Sequence, residues 1–384
     1  MRVLLIHNQL WAHYKSKLFS EIHRALREKY PDSQFQVAHI ALYEASRKAM
    51  MKSQEEPIYK YPYTVLFETS LDEVPFAKRL KALFRTYRSF RPTVLNITGY
   101  YDWAQVLLML YARSQGVRVI LTVESSSLDH KRSWLKEKLK SWIVNNANAY
   151  FCFGQTSVAY LKSLGVPEAK IAVSHAAVID ETIIRENYQR ALAEKASTPL
   201  ARRHFIYVGR LAPEKNLVAL LDAFRKTQQQ NPPSAEWGLL LVGDGASRAE
   251  LEKYVQEKKI PRVRFTGGCA WYEVPGWLAQ ASVLVLPSLS EPWGLVVNEA
   301  MVCGLPVIVS DRCGCAPDLV EEGLNGFLFS PDHPADLATS MQYFIQNPEK
   351  ISAMGVESRR LVASFSSERV AQQMVACYHS LANH

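Results

Sequence analysis

The chain has 384 residues, 48% of them hydrophobic and 21% charged, with a net charge of +8 and a pI near 9.0. That length exceeds one ordinary hydrophobic core and predicts two domains, while the composition excludes a disordered chain. No uninterrupted apolar run approaches the ~20 residues that span a bilayer, and the excess of cations favours an anionic partner: nucleotide phosphate, acidic lipid or nucleic acid.

The opening run Arg2-Val3-Leu4-Leu5-Ile6 is cut short by His7, Asn8 and Gln9, so it reads as a first strand and not as a signal-peptide core. Further strands are expected at Phe35 to Ile40, Val94 to Ile97, Val117 to Val123 and Tyr150 to Phe153, with helical segments between most of them. The pattern recurs at Phe205 to Val208, Leu239 to Val242, Val263 to Phe265, Val283 to Leu286 and Val307 to Val309. Such alternation predicts α/β architecture with parallel sheets covered on both faces. Between the halves, the charged stretch Glu181 to Pro199 ends in Ser197-Thr198-Pro199 and reads as a connector; a last helix spans Ser366 to Leu381. Only Gly99, Gly116, Gly154 and Gly165 precede residue 200, and thirteen of the seventeen glycines follow it. Backbone amides approach phosphates closely at glycine, which points a nucleotide site to the second half. The six cysteines are scattered, and Cys313 and Cys315 lack the second pair or histidine spacing of a zinc site, so reduced thiols and a cytoplasmic location are expected.

The most informative segment follows Leu286 and runs Pro287-Ser288-Leu289-Ser290-Glu291-Pro292-Trp293-Gly294-Leu295-Val296-Val297-Asn298-Glu299-Ala300-Met301-Val302-Cys303-Gly304-Leu305-Pro306. A buried strand feeds a loop and then a helix, which Gly304 stops before Pro306 opens the next strand. The helix start therefore lies at the carboxyl edge of a parallel sheet, where amides around Gly294 and Leu295 would attract a pyrophosphate. This pair of glutamates, Glu291 and Glu299, separated by seven residues, resembles the signature of glycosyltransferase family four. That family comprises retaining enzymes with the GT-B fold, two Rossmann-like domains facing a central cleft. The resemblance implies that Glu291 accepts hydrogen bonds from donor-sugar hydroxyls and that Glu299 holds the ribose hydroxyls, roles that suit the acceptor capacity of a carboxylate.

Phe205-Ile206-Tyr207-Val208-Gly209-Arg210-Leu211-Ala212-Pro213-Glu214-Lys215-Asn216 is a second strand, glycine turn and helix. The resemblance assigns Arg210 and Lys215 to the donor diphosphate, two cations that would neutralise the leaving group. Leu239 to Gly245 enters a third such turn at Gly243, and the family holds the base by backbone groups near Phe265. After Val123, many relatives carry a histidine near the reacting carbon where this chain has Glu124; a carboxylate orienting acceptor or sugar and a solvated strand-end carboxylate are both open. Another departure is His7 to Lys15, which replaces a glycine-rich loop common in the family.

The expected domains are 1–185, carrying 366–384 packed back on it as the acceptor half, and 186–365 as the nucleotide-sugar half. The implied reaction is retaining transfer from a UDP- or GDP-sugar to a glycan, lipid-linked or small-molecule acceptor, in surface polysaccharide or glycoconjugate synthesis. No cofactor is expected, and the absence of an Asp-x-Asp motif argues against a metal. A nucleotide-sugar 2-epimerase of the same fold and a non-catalytic binding subunit are the rival readings, and no nucleic-acid recognition motif is found. Two features stay open. Lys131 to Ile143 places Trp134, Leu135, Leu139, Trp142 and Ile143 on one helical side with Lys138, which suits either a core-packing helix or peripheral docking on an anionic membrane. Tyr100-Tyr101-Asp102-Trp103 either stacks on an acceptor sugar or starts a helix.

Overall fold

The computed structural model describes residues 1–11, 13–44, 60–124, 134–195, 203–230 and 236–383. The chain divides into two units, Met1–Asp180 with Phe365–His384, and Glu181–Ser364.

Unit 1 runs β1 (Arg2–Gln9), α1 (His13–Lys29), β2 (Gln34–Ala41), β3 (Tyr63–Val65), α2 (Phe76–Phe90), β4 (Val94–Thr98), α3 (Trp103–Ser114), β5 (Arg118–Val123), α4 (Trp134–Asn145), β6 (Ala149–Cys152), α5 (Gln155–Ser163) and β7 (Ile171–Val173). Its seven strands pair in the order β3-β2-β1-β4-β5-β6-β7, all parallel. Because β2 lies on one side of β1 and β4 on the other, the winding reverses between β1 and β4, the crevice where open α/β sheets hold ligands. Strands β4 and β6 are buried at every residue, as strands covered on both faces must be; β6 is an unbroken run of apolar and aromatic residues, whereas β4 buries Asn96 and Thr98 among its apolar residues. Asp102 caps α3 by accepting from the Ala104 amide at 3.0 Å, so the tetrad beginning at Tyr100 does start a helix.

Unit 2 runs α6 (Glu181–Lys195), β8 (His204–Val208), α7 (Leu217–Gln230), β9 (Gly238–Val242), α8 (Arg248–Glu257), β10 (Val263–Gly267), α9 (Val274–Leu278), β11 (Val283–Leu286), α10 (Leu295–Cys303), β12 (Val307–Ser310), α11 (Ala316–Leu319), β13 (Gly326–Phe329), α12 (Pro334–Gln346) and α13 (Lys350–Val362). The strand order is β10-β9-β8-β11-β12-β13, again parallel, with its reversal between β8 and β11. Helix α6 differs from the expected connector. It buries Ile184 and Tyr188 and packs on α9 and α10, so unit 2 begins at Glu181; Ser197-Thr198-Pro199 lies outside the described residues.

The last helix, α14 (Ser367–Ala382), belongs to unit 1, where it packs on α1 and β7. Tyr378 is fully buried there, accepting from Asn96 Nδ2 at 2.8 Å and meeting the Phe151 ring edge-on at 5.7 Å.

Helix α4 corrects the reading of its apolar side. Ile143 and Val144 enter the core of unit 1, whereas Trp134, Leu139 and Trp142 point outward. Ile143 therefore does not share their face, and the tryptophans pack into no core. Lys131, Arg132 and Ser133, and the side chain of Leu135, lie outside the described residues.

Candidate active site

Lys215 and Glu291 come from the loops that follow β8 and β11, the two strands flanking the reversal of unit 2. After β8 the chain makes one short turn, Pro213–Lys215, that ends at Asn216 in the left-handed region with φ of 55°. This turn folds Lys215 inward until it is 8% exposed. Its Nζ donates to Glu291 Oε2 at 2.5 Å. A buried ammonium needs such a partner, because desolvation without one costs several kcal/mol. The two loops are also joined through the backbone, as the Leu289 amide donates to the Glu214 carbonyl at 2.8 Å.

A third loop fixes Glu291 from the other side. After β12 the turn Arg312-Cys313-Gly314 accepts the Glu291 amide at Arg312 (3.3 Å) and donates from the Gly314 amide to the Glu291 carbonyl at 2.9 Å. The Cys315 amide adds a bond to the Trp293 carbonyl at 3.2 Å. Cys313 and Cys315 are wholly buried beneath the loop, and burial pushes both thiols far above the usual range, so they act as small apolar packing groups. The sequence reading missed this clasp; its signal was a glycine between two cysteines directly after a buried strand.

Helix α10 begins at Gly294, whose φ of 97° is closed to most side chains. A Cβ there would lie 2.7 Å from Leu286 Cδ2. Trp293 is pinned inside, its Nε1 donating to Asn298 Oδ1 at 2.8 Å. No side chain caps this end of the helix. The Val297 amide donates to the Gly294 carbonyl at 2.9 Å, and the Leu295 and Val296 amides, with the positive end of the helix dipole, face an anion site close to a lysine. One turn on, Glu299 is half-buried, yet its carboxyl end is desolvated enough that its pKa is pushed up to about 8. No ion pair involving Glu299 occurs among the described residues.

The other expected residues fall into place unevenly. Arg210 is 62% exposed and pairs with Glu214 at 2.9 Å, one turn along its own loop, so it does not join Lys215 and Glu291. Tyr207 instead occupies the interior beside them; it donates to the Arg210 carbonyl at 2.7 Å, and burial, helped by the Glu291 charge, holds its phenol neutral. Gly243 serves packing, since a Cβ on it would come within 1.8 Å of the Gly209 carbonyl oxygen; the loops after β8 and β9 nest only with glycine here. Phe265 is half-buried on the edge strand β10, which among the described residues pairs with β9 alone. Glu124 belongs to unit 1 and ends β5, where it accepts from Lys15 Nζ at 2.8 Å. Lys15, missed from sequence, is 3% exposed and lies 4.3 Å from the centre of the Phe153 ring. Among the described residues no cluster of His, Cys, Asp and Glu is arranged to hold a metal ion.

Two doubly wound parallel sheets, with a lysine, a carboxylate and an uncapped helix end converging at one reversal point, define the GT-B class of α/β proteins. Residues 189–361 match the family model described as glycosyl transferases group 1. It is 28% identical over 178 residues to an uncharacterized glycosyltransferase of Methanocaldococcus jannaschii, covering 46% of this chain and 48% of the relative. Its identity to the sulfoquinovosyl transferase SQD2 of Arabidopsis thaliana is 36% over 157 residues, or 40% of this chain and 29% of that one. The chain thus spans half or less of the length of these curated relatives. Anabaena HepE, solved with UDP, superposes with a TM-score of 0.74 over 99% of this chain and 100% of its own at 20% identity, a likeness of fold.

Proposed function

We propose that the protein is a retaining, metal-independent glycosyltransferase, acting in the cytoplasm, that moves a sugar from a UDP- or GDP-sugar to a hydroxyl of a glycan, lipid-linked or small-molecule acceptor in surface polysaccharide or glycoconjugate synthesis. The observation that carries this reading is the Lys215–Glu291 pair beside the uncapped start of α10. A diphosphate entering there would compete with Glu291 for the lysine. As the ammonium turns to the phosphate, the freed carboxylate can accept from sugar hydroxyls, so one exchange readies both ends of the donor. Arg210, on its exposed loop, would swing from Glu214 to the same phosphates. Glu299, a desolvated acceptor without a cation, suits the two ribose hydroxyls, and the edge strand β10 near Phe265 suits the base.

In the reaction the bond from the anomeric carbon to the β-phosphate oxygen breaks, and negative charge gathers on the diphosphate. Lys215 and the α10 amides stabilise that charge as a preorganised field, worth roughly two orders of magnitude per donor. The departing oxygen takes the proton of the acceptor hydroxyl, and the acceptor oxygen bonds to the same face of the anomeric carbon, which retains configuration. Glu124, held by Lys15, would orient the acceptor or the sugar.

Turnover of UDP- and GDP-sugars in excess EDTA, followed by NMR of the product anomer, tests the reading. An α-donor should give an α-product, and chelation should leave the rate intact. Loss of activity in EDTA with recovery on adding a divalent ion would refute metal independence, and a donor isomer without free nucleotide would identify an epimerase.

A further inference from the structure

The charge of this protein is not shared by its two units. Of 45 Lys and Arg and 37 Asp and Glu, unit 1 holds 26 and 16, and unit 2 holds 19 and 21. The unit with the candidate donor loops is therefore slightly acidic, and the whole excess of cations sits on unit 1. Attraction of a nucleotide to unit 2 does not explain that distribution.

Unit 1 also carries most of the exposed apolar bulk. Of thirteen large hydrophobic side chains exposed among the described residues, six lie on the head and outer side of α3 and on α4: Tyr101 (56%), Trp103 (49%), Leu107 (40%), Trp134 (68%), Leu139 (43%) and Trp142 (55%). Monomeric proteins seldom leave such a concentration bare without a use for it. On α4, Trp134, Lys138 and Trp142 follow at intervals of four and form one outward stripe, while Ile143 and Val144 hold the opposite side in the core. Lys138 Nζ lies 3.9 Å from the Trp134 ring centre. Lys140 reaches to within 5.8 Å of the Tyr101 ring, which brings α4 beside the head of α3.

The mixture of residues selects the occupant. Cores of protein interfaces are depleted of lysine, and a lysine in the middle of a tryptophan stripe would be desolvated there without a partner. At a lipid surface the same arrangement is favourable: indole rings rest at the headgroup level, and the lysine stem lies along them with its ammonium on a lipid phosphate. None of the described helices is long and apolar enough to cross a bilayer. We propose that unit 1 docks on an anionic lipid bilayer through the outer face of α4 and the head of α3, with Trp134 and Trp142 at the headgroup boundary and Lys138 on a lipid phosphate. This gives a defined surface to the peripheral membrane contact that the sequence left open, and it holds whatever sugar is transferred.

Flotation of the full chain with vesicles tests it without donor or acceptor. Vesicles of phosphatidylcholine with about 30% phosphatidylglycerol should bind the protein, pure phosphatidylcholine should bind it poorly, and about 0.5 M salt should release it. Lys138→Glu should weaken binding roughly tenfold, since a lysine near such a surface contributes about 1 kcal/mol and its reversal about twice that. Trp134→Ala with Trp142→Ala should abolish binding with an unchanged melting temperature, as both rings are exposed. Brominated lipids should quench tryptophan emission in the parent and less in Trp134→Phe with Trp142→Phe. Binding indifferent to lipid charge, or unaltered in Lys138→Glu or in Trp134→Ala with Trp142→Ala, would overturn the proposal. So would a dimer in sedimentation that the tryptophan changes dissociate, because the face would then be covered by a second copy. Donor turnover lost with vesicle binding intact would count only against the transferase reading.

Discussion

Lys215 and Glu291 stand 76 residues apart in sequence, and their side chains meet at 2.5 Å. Each comes from a loop beside the point where the sheet of unit 2 reverses its winding, so strand order alone brings the two loops together.

Lys215→Ala removes a cation from the leaving group and should lower kcat by roughly a hundredfold or more. Folding should suffer less, because Glu291 at 17% exposure can still recruit water. Steady-state kinetics beside thermal melting separates the two effects; equal activity in variant and parent would remove Lys215 from the site.

Arg210→Ala sets an opposite pattern. An exposed pair one helical turn apart contributes little, so stability should move by no more than about 0.5 kcal/mol. If the guanidinium meets the diphosphate, kcat/KM should nevertheless fall at least about tenfold. A variant with parental kinetics would assign the residue to its surface bridge with Glu214 alone.

Glu299 makes stability and binding depend on pH in opposite senses. Its folded pKa of about 8 lies above the ordinary value of 4.5, so between those limits the folded state holds a proton that the unfolded state has lost. Stability should therefore fall as pH rises through this window. Glu299→Gln should match the parent near pH 4 and exceed it by up to about 5 kcal/mol near pH 9. Nucleotide affinity should instead rise with pH as the carboxylate forms, and the Gln variant should bind more weakly without that rise. Calorimetric titration with UDP at two pH values reads this directly.

Gly294→Ala tests the shape of the loop. The left-handed backbone and the 2.7 Å approach to Leu286 should together cost roughly 2 kcal/mol or more, with weaker nucleotide binding as the turn relaxes. Denaturant melts and UDP titration check both parts.

Tyr378→Phe probes the attachment of α14. It leaves the buried amide of Asn96 without its acceptor, at a cost of about 1 to 3 kcal/mol. Melting of the variant should show that loss, with nucleotide binding to unit 2 unchanged.

The repeated βα alternation was legible from residue order, because a strand covered on both faces is largely apolar, as β6 and β9 are throughout and β4 is apart from Asn96 and Thr98. So was the loop and helix from Glu291 to Glu299, whose turn and stop depend on local backbone chemistry at Gly294 and Gly304. Strands β3, β7 and β13 escaped such reading, since three or four residues at a sheet edge carry too little pattern to register. It took the packed molecule to choose Lys215 over Arg210 as the partner of Glu291, to clasp that glutamate with the Arg312-Cys313-Gly314 turn, and to set Lys15 on Glu124. The same holds for α4: periodicity defines two sides of a helix, but which side is buried depends on the sheet it is packed against. Contacts between residues distant in the chain arise from strand order, and strand order is a property of the whole sheet that no local run of residues contains.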